Sequence, residues 1–386
     1  MMKKIIIVSK CPTHPTDAGN RQWILAQAET LKRMGCDVHF LYIEERGLKT
    51  PKEQYDRDLN ETEAYWGDKF HLLKVTKLQK ALFNLNMRYR KLFCHWHYHV
   101  DDNYPWGLGK MVNALDNKYH FDICIINYYY LSKLFTQINI PKNAIATHDL
   151  IAYKDIKIGE PTLCITADTE AKAMQRCPHI FALQTVEADY FQMLSPKSKV
   201  YNFFGKFDYT PQPVAGNHKI VFLSGGNGFN QNGIRWFLKE VFPAIRNRFD
   251  DAQLLIGGSL CKAMPGLKNY DGVDVQGYVD DPAAFYAQAD VCINPCYQGT
   301  GLKIKTFEAI SYDKVTMVHP HSMEGIYDKD HAPLFSSDKP EEWVKFLDTI
   351  WGHPDKIQEI KDLDKDYLTR MEAFVDSEYR RFLASE

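Results

Sequence analysis

Asn294-Pro295-Cys296-Tyr297-Gln298-Gly299-Thr300-Gly301-Leu302-Lys303-Ile304-Lys305-Thr306-Phe307-Glu308-Ala309 is the most informative stretch of the chain. Ahead of it, Val291-Cys292-Ile293 reads as a short buried strand ending at Asn294. Two glycines then mark a turn, and from Leu302 onward the pattern is helical. A strand, a glycine turn and a helix in that order present backbone N–H groups and the positive end of the helix dipole to whatever lies above the sheet, which attracts phosphate. With the helix starting near Leu302, Gly301, Lys305 and Glu308 fall at i, i+4 and i+7 on one face, whereas Ile304, Phe307 and Ser311 lie on another. A cation close to the turn and a carboxylate one turn further on suit a diphosphate followed by a ribose, because a carboxylate can accept hydrogen bonds from both sugar hydroxyls. The same residues also read as a capped surface helix with an intrahelical Lys305–Glu308 pair.

A second glycine cluster, Ser224-Gly225-Gly226-Asn227-Gly228-Phe229-Asn230-Gln231-Asn232-Gly233, tips the balance toward phosphate. It closes an apolar run at 219–224 and leads into a long helical pattern at 232–249. Ligands of open α/β sheets bind at the carboxyl ends of strands, so two glycine turns at such ends in one domain describe a phosphate-binding crevice. The dinucleotide fingerprint GxGxxG is absent, which counts against hydride transfer.

Outward from these two turns the alternation continues, with strands at 252–257, around 273, at 291–294 and at 315–318, and helices at 281–289 and 302–312. Upstream, strands are expected at 3–9, 37–42, 122–128, 143–147 and 179–183, with a helix at 20–34 stopped by Gly35. Such repetition implies parallel sheets covered on both faces. Between 195 and 218, Pro196, Gly205, Pro211, Pro213 and Gly216 break the pattern, and this reads as an interdomain linker. The expected organisation is therefore an α/β domain over 1–200, a second over 217–370, and a last helix over 371–386. A chain of 386 residues exceeds what one core usually organises.

Composition excludes several classes. Lys and Arg number 47 against 49 Asp and Glu, a net charge of −2, so the chain shows no nucleic-acid footprint. An aromatic content of 13% argues against disorder. The longest apolar runs, such as Ile5-Ile6-Ile7-Val8, fall far short of the roughly 20 residues of a membrane helix. The opening residues are too short for a signal-peptide core, so a cytoplasmic protein is expected. Nine cysteines without a CxxC pair indicate neither a disulfide framework nor a zinc ribbon. No metal set stands out either: Asp101-Asp102 reads as a solvated turn, and His95-Trp96-His97-Tyr98-His99 as a polar rim or the wall of a substrate site.

Taken in order, NQNGIRWFLKEVFP at 230–243, AQLLIG at 252–257, Gly277-Tyr278-Val279-Asp280, Ala289-Asp290-Val291, the glycine-lysine stretch at 299–309, Val315 and Met323-Glu324-Gly325 form a recognisable series. It resembles the nucleotide-sugar-binding domain of the retaining GT-B glycosyltransferases, family 4 (glycosyl transferases group 1), over roughly 219–326. The N-terminal half is similar only in outline, through Asp17-Ala18-Gly19-Asn20-Arg21 and Thr147-His148-Asp149.

The resemblance implies two Rossmann-like domains facing each other across a cleft, with the donor site in the C-terminal one, the acceptor site mainly in the N-terminal one, and the last helix, 371–386, crossing back to the N-terminal domain. It implies that Glu308 holds the ribose, that Lys305 and Lys303 face the diphosphate, and that Gly225 and Gly226 let backbone approach it. Asn230, Gly299, Thr300, Gly301 and Leu302 fall in the donor-binding segments, and Tyr278 and Val279 would border the base. His148 matches the histidine that approaches the donor sugar and leaving phosphate; it also reads as a strand-end histidine bonded to Asp149. Gly19, Asn20 and Arg21 fall on the acceptor side, although Gly19 also reads as a simple turn residue. Where the family's E-x7-E pattern has its first glutamate, this chain has Thr300, as in the branch reading GxGxKxK. The contact from that glutamate to the donor sugar is left without an owner, with Gln298 or a main-chain amide as the substitute.

By resemblance the activity is transfer of a sugar from a UDP- or GDP-linked donor to a glycan or lipid-linked acceptor, with retention of configuration and no metal or other cofactor, in cell-surface polysaccharide synthesis. A UDP-sugar epimerase of the same architecture is the alternative, weakened by the shortage of paired acid/base carboxylates. A nucleotide-sugar-binding partner without catalysis is another, for which Thr300 is the only hint.

One more segment stands apart. From Lys69 to Val100 there is no acidic residue, but there are Lys69, Lys74, Lys77, Lys80, Arg88, Arg90 and Lys91. Leu78, Leu82, Leu85, Tyr89, Leu92, Phe93 and Trp96 recur near helical spacing. Such a helix either packs its apolar stripe on the sheet with its lysines in water, or lies on an anionic membrane surface.

Overall fold

The computed structural model describes residues 2–16, 18–44, 51–93, 99–102, 104–152 and 165–385. Asp17 and the run from His95 to Tyr98 lie outside the described residues. The chain divides into two compact units, Met1–Lys206 with Val375–Glu386, and Phe207–Phe374.

The first unit holds a seven-stranded parallel sheet in the order β3-β2-β1-β4-β5-β6-β7. Its strands are β1 (Lys4–Ser9), β2 (Asp37–Glu44), β3 (Phe70–Lys74), β4 (Ile123–Asn127), β5 (Lys142–Ala146), β6 (His179–Ala182) and β7 (Lys199–Asn202). Ile5, Ile6, Ile7 and Val8 are wholly buried because β1 lies between β2 and β4, with no face left for water. The helix Gly19–Arg33 buries Ile24, Ala28 and Leu31 at helical spacing, and Gly35, in the left-handed region at φ 82°, ends it.

The second unit holds a six-stranded parallel sheet in the order β10-β9-β8-β11-β12-β13. These strands are β8 (Lys219–Leu223), β9 (Gln253–Gly257), β10 (Val273–Gly277), β11 (Val291–Asn294), β12 (Val315–Val318) and β13 (Leu334–Ser336). Both units are thus α/β.

Three sequence expectations are corrected. The 195–218 segment is no free linker. It contains β7, and its later part is fastened to the second unit: Tyr209 donates to Asp313 Oδ1 at 2.9 Å, and the amides of Ala215 and Gly216 donate to the buried Asp290 carboxylate at 2.8 and 2.7 Å. The helix expected at 232–249 is a succession of Gly228–Trp236, a π-helical segment Phe237–Val241 and Phe242–Arg248. Pro243, with no N–H to give to the residue four before it, coincides with that change of pitch. Finally, the helix after β11 runs from Ile304 to Ser311 rather than from Leu302, because Gly301 is left-handed at φ 81° and Lys303 is non-helical.

The last helix, Pro354–Ala384, ends in the first unit. There Asp376 pairs with Arg33 at 2.7 Å, Glu378 accepts from the Asn202 amide at 2.9 Å, and the buried Phe382 ring meets Phe181 edge-on at 4.7 Å.

Candidate functional site

In the second sheet the strand order reverses direction at β8 and β11, and the loops following those two strands flank the point where a crevice opens above a parallel sheet. Both glycine clusters are these loops. Asn227 caps the helix Gly228–Trp236 by accepting from the Asn230 amide at 3.0 Å, and Asn230 Nδ2 donates to the Gly225 carbonyl at 2.8 Å, which folds the Gly225-Gly226 turn over the helix start. The Gly226 amide donates to Ser259 Oγ at 3.1 Å, while a Cβ at Gly226 would lie 2.8 Å from Ala263 Cβ. Gly258, at φ 93°, would place a Cβ 2.4 Å from the Ser224 carbonyl oxygen. Glycine is demanded at this junction.

The two loops are held together. A Cβ at Gly233 would come within 2.9 Å of Cys296 Cα, so the helix backbone lies directly against the second loop. Cys296 Sγ meets Asn230 Oδ1 at 3.4 Å, and Asn232 Nδ2 donates to Gln298 Oε1 at 3.1 Å. Asn294 Nδ2 donates to Thr306 Oγ1 at 2.9 Å in a buried contact that pins the helix Ile304–Ser311 to the end of β11. From β12, Ser322 donates to the Cys296 carbonyl at 2.8 Å and His321 Nε2 meets the Gly299 carbonyl at 2.9 Å. Ser259, Asn232, His321 and Ser322 are the tethers that sequence reasoning missed; only their positions just after strands or at a helix start hinted at them.

On the helix, Glu308 is partly buried beside Tyr286, Tyr312 and Cys292. The two tyrosine rings stack at 4.6 Å. Burial raises the Glu308 pKa from an ordinary 4.5 to about 7, with Lys305 pulling the other way. Among the described residues no hydrogen bond reaches this carboxylate, and it forms no salt bridge with Lys305. The intrahelical pair that the sequence allowed is therefore not formed. Lys303 and Lys305 both bear on Cys296, which places their charge at the glycine loop. Ile304, the first residue of the helix, is 37% exposed, whereas Phe307, one turn further on the same side, is fully buried. Gln298 is exposed and bonded to Asn232. At the end of β10, Tyr278 projects into solvent, 81% exposed, and Val279 packs over Gly257, where a Cβ would lie 2.6 Å from its methyl.

In the first unit the reversal falls between β1 and β4. Asn20, opening the helix after β1, donates to Tyr128 OH at 3.2 Å and to Cys11 Sγ at 3.2 Å. Tyr128 follows β4 with φ 72°, a strained conformation for a residue with a side chain. Its ring stacks on His148 at 4.0 Å, and Trp23 meets His148 edge-on at 5.0 Å. His148 Nε2 lies 2.9 Å from Asn127 Oδ1, while Asp149 accepts from the Leu150 amide instead. The sequence alternative for His148 thus has the wrong partner. Burial drives the His148 pKa down to about 3, so the ring is neutral at neutral pH; donating from Nε2 to Asn127 leaves Nδ1 as its acceptor nitrogen. Arg21 donates to Asp58 at 2.6 Å and to the carbonyls of His14 and Pro15, a binding site for the loop after β1. Gly19 is the first residue of the helix. No group of three or more His, Cys, Asp or Glu residues is placed to hold a metal ion among the described residues.

Comparison with known proteins accords with this geometry. Residues 217–352 match the family model described as glycosyl transferases group 1. An uncharacterised 44.6 kDa protein of the cps region of Klebsiella pneumoniae is 23% identical over 349 residues, covering 80% of this chain and 81% of that one. Among solved structures, sucrose-phosphate synthase from Thermosynechococcus elongatus superposes with a TM-score of 0.66 at 14% identity over 100% of both chains. The Anabaena protein HepE, solved with UDP and glucose, gives 0.63 at 11% identity over 99% of this chain and 100% of that one. At such identities the structural likeness speaks for the fold. Residues 217–352 thus match the group 1 glycosyl transferases, and the chain around them has the GT-B fold of glycosyltransferases.

Proposed function

We propose that the chain moves a sugar from a UDP- or GDP-linked donor to a glycan or lipid-linked acceptor, with retention of configuration and without a metal ion, in the synthesis of a cell-surface polysaccharide. One observation carries this reading: a partly buried, unbonded carboxylate, Glu308, on the helix that follows a glycine loop at the switch point of the second sheet, with Lys303 and Lys305 at that loop. An unbonded carboxylate at such depth is costly without a partner, and two vicinal ribose hydroxyls are a fitting one.

Departure of a nucleoside diphosphate develops charge on the β-phosphate. The lysines and the loop amides next to Gly225, Gly226 and Gly299 to Gly301 supply fixed positive potential for that charge. His148, neutral and braced by Asn127, Tyr128 and Trp23, can accept a hydrogen bond from a sugar hydroxyl at Nδ1 without taking a proton at neutral pH. Asn20 and the Arg21-anchored loop form the acceptor side. The Klebsiella relative's cps-region name supports the polysaccharide context, and the UDP and glucose of the HepE structure support a nucleotide-sugar donor. Nucleotide sugars are made in the cytoplasm, which is where we place the reaction; among the described residues no helix is long and apolar enough to cross a membrane.

The test is a thermal-shift panel of UDP-, GDP-, ADP- and CMP-sugars, followed by transfer assays with the stabilising donor. Glu308→Ala and Lys305→Ala are expected to abolish transfer with the fold intact. Normal turnover in both would refute the site, donor binding without transfer or hydrolysis would favour the non-catalytic reading, and an inverted anomer by NMR would refute retention. Interconversion of the donor sugar without an acceptor would favour the epimerase.

A further inference from the structure

The helix Lys77–Phe93 is oriented against the usual rule. None of its residues is buried. Its large apolar side chains, Leu78, Leu82, Leu85, Tyr89, Leu92 and Phe93, are between 44% and 72% exposed. At about 100° per residue these six fall within roughly a 100° arc, a continuous outward stripe on a helix about 25 Å long. The side turned to the domain is mainly polar: Gln79 donates to the Tyr104 carbonyl at 3.3 Å, Lys80 pairs with Glu44 at 3.5 Å, and Arg90 pairs with Asp102 at 3.2 Å. The apolar stripe that the sequence allowed to pack on the sheet is turned to water instead, alongside the exposed Lys77 and Arg88.

We propose that this stripe docks the chain on an anionic lipid surface, with the helix lying in the plane of the headgroups. Charge selects this occupant. Not one acid lies between Lys69 and Val100, and the exposed Lys77 and Arg88 flank the stripe on one side, where lipid phosphates would meet them. A second copy of the same helix would bring like charges together across the contact and is disfavoured for that reason. Tyr89, Phe93 and the 56%-exposed Trp106, which shares a groove with Leu82, supply the aromatic rings that favour the headgroup level. Sequestering this stripe in the acyl boundary relieves an exposure that water makes unfavourable. The proposal does not depend on the donor site, and lipid binding is expected to survive Glu308→Ala.

The experiment is co-sedimentation of the full chain with phosphatidylcholine vesicles, with and without phosphatidylglycerol, comparing wild type, a Leu78/Leu85/Leu92→Gln triple variant and a Lys77→Glu/Arg88→Glu double variant. Wild type is expected to partition onto the anionic vesicles, to do so less as salt is raised, and to bind neutral ones weakly. The triple variant should lose at least tenfold in partitioning with its melting temperature in buffer unchanged, and the double variant should lose the preference for anionic vesicles. Wild type left in the supernatant overturns the proposal. So does a fall of several degrees in the triple variant's melting temperature, which would show that the chain itself covers the stripe. A lipid-free dimer that the triple variant converts to monomer would assign the face to a second copy and overturn it equally.

Discussion

Replacing Glu308 by glutamine separates what the carboxylate does for the donor from what it costs the fold. Burial holds this carboxyl at about 7 against an ordinary 4.5. Between those values the folded chain keeps a proton that the unfolded chain has lost, so stability falls as pH rises through that window and the loss is complete above 7. A displacement of this size corresponds to roughly 3 kcal/mol, and screening at a partly exposed group reduces it to about 2 kcal/mol. Glutamine has no charge to bury. E308Q is therefore expected to be more stable than wild type by about 2 kcal/mol at pH 8, roughly 4–8 °C for a unit of this size, and to match it near pH 4.5. In the proposed donor complex the same change would remove charge-assisted hydrogen bonds to the ribose, worth about 1.5–3 kcal/mol, so nucleotide affinity should fall roughly 10–150-fold. Thermal unfolding across pH, with and without UDP, reads both effects. A variant that melts below wild type at pH 8, or that binds nucleotide as tightly, refutes the reasoning, because the carboxylate would then be serving a structural bond.

Gly258→Ala forces a side chain into left-handed backbone 2.4 Å from the Ser224 carbonyl, and should cost at least about 3 kcal/mol, read as a lowered urea midpoint and a lost thermal shift with donor. His148→Phe should slow transfer while leaving UDP affinity unchanged. Because the His148 pKa is lowered from 6.5 to about 3, wild type loses stability as pH falls below 6.5; the variant should lose about 1–2 kcal/mol less between pH 7 and pH 5 in paired urea titrations. Asp58→Ala strands the Arg21 guanidinium and should destabilise the first unit by about 2–4 kcal/mol, visible as a melting shift that Arg21→Ala does not double. Transfer should continue unchanged in excess EDTA; a loss restored by added magnesium would contradict the metal-free scheme.

Much of this architecture was legible because β1, β4, β8, β9 and β11 are near-continuous runs of β-branched or apolar residues, as strands buried on both faces must be. The edge strands β3, β7 and β13 were not, since Phe70–Lys74, Lys199–Asn202 and Leu334–Ser336 are short and only partly buried at several positions. Periodicity marked the stripe on Lys77–Phe93 but not its direction, because a repeat of 3.6 states which residues share a face and not whether core or solvent meets it. At the site, glycine clusters announced both loops, and the spacing of Lys305 and Glu308 announced the helix. Their tethers come from other strand ends, as Ser259 and His321 do, and such long-range pairings leave no local pattern. The partner of His148 was missed for the same reason: Asn127 stands on the neighbouring strand, 21 positions away, while the adjacent Asp149 turns to its own loop.

The central claim is that the Glu308 carboxylate receives the ribose of a nucleotide donor. At pH 7 the carboxyl is about half protonated, and two hydroxyls donating to it would draw the charged form out. Calorimetric titration of UDP into the full chain at pH 7, in two buffers of different ionisation enthalpy, should therefore report release of about half a proton per nucleotide bound, and Glu308→Gln should abolish that release. UDP binding with no proton release, or with the same release in the variant, would contradict the account.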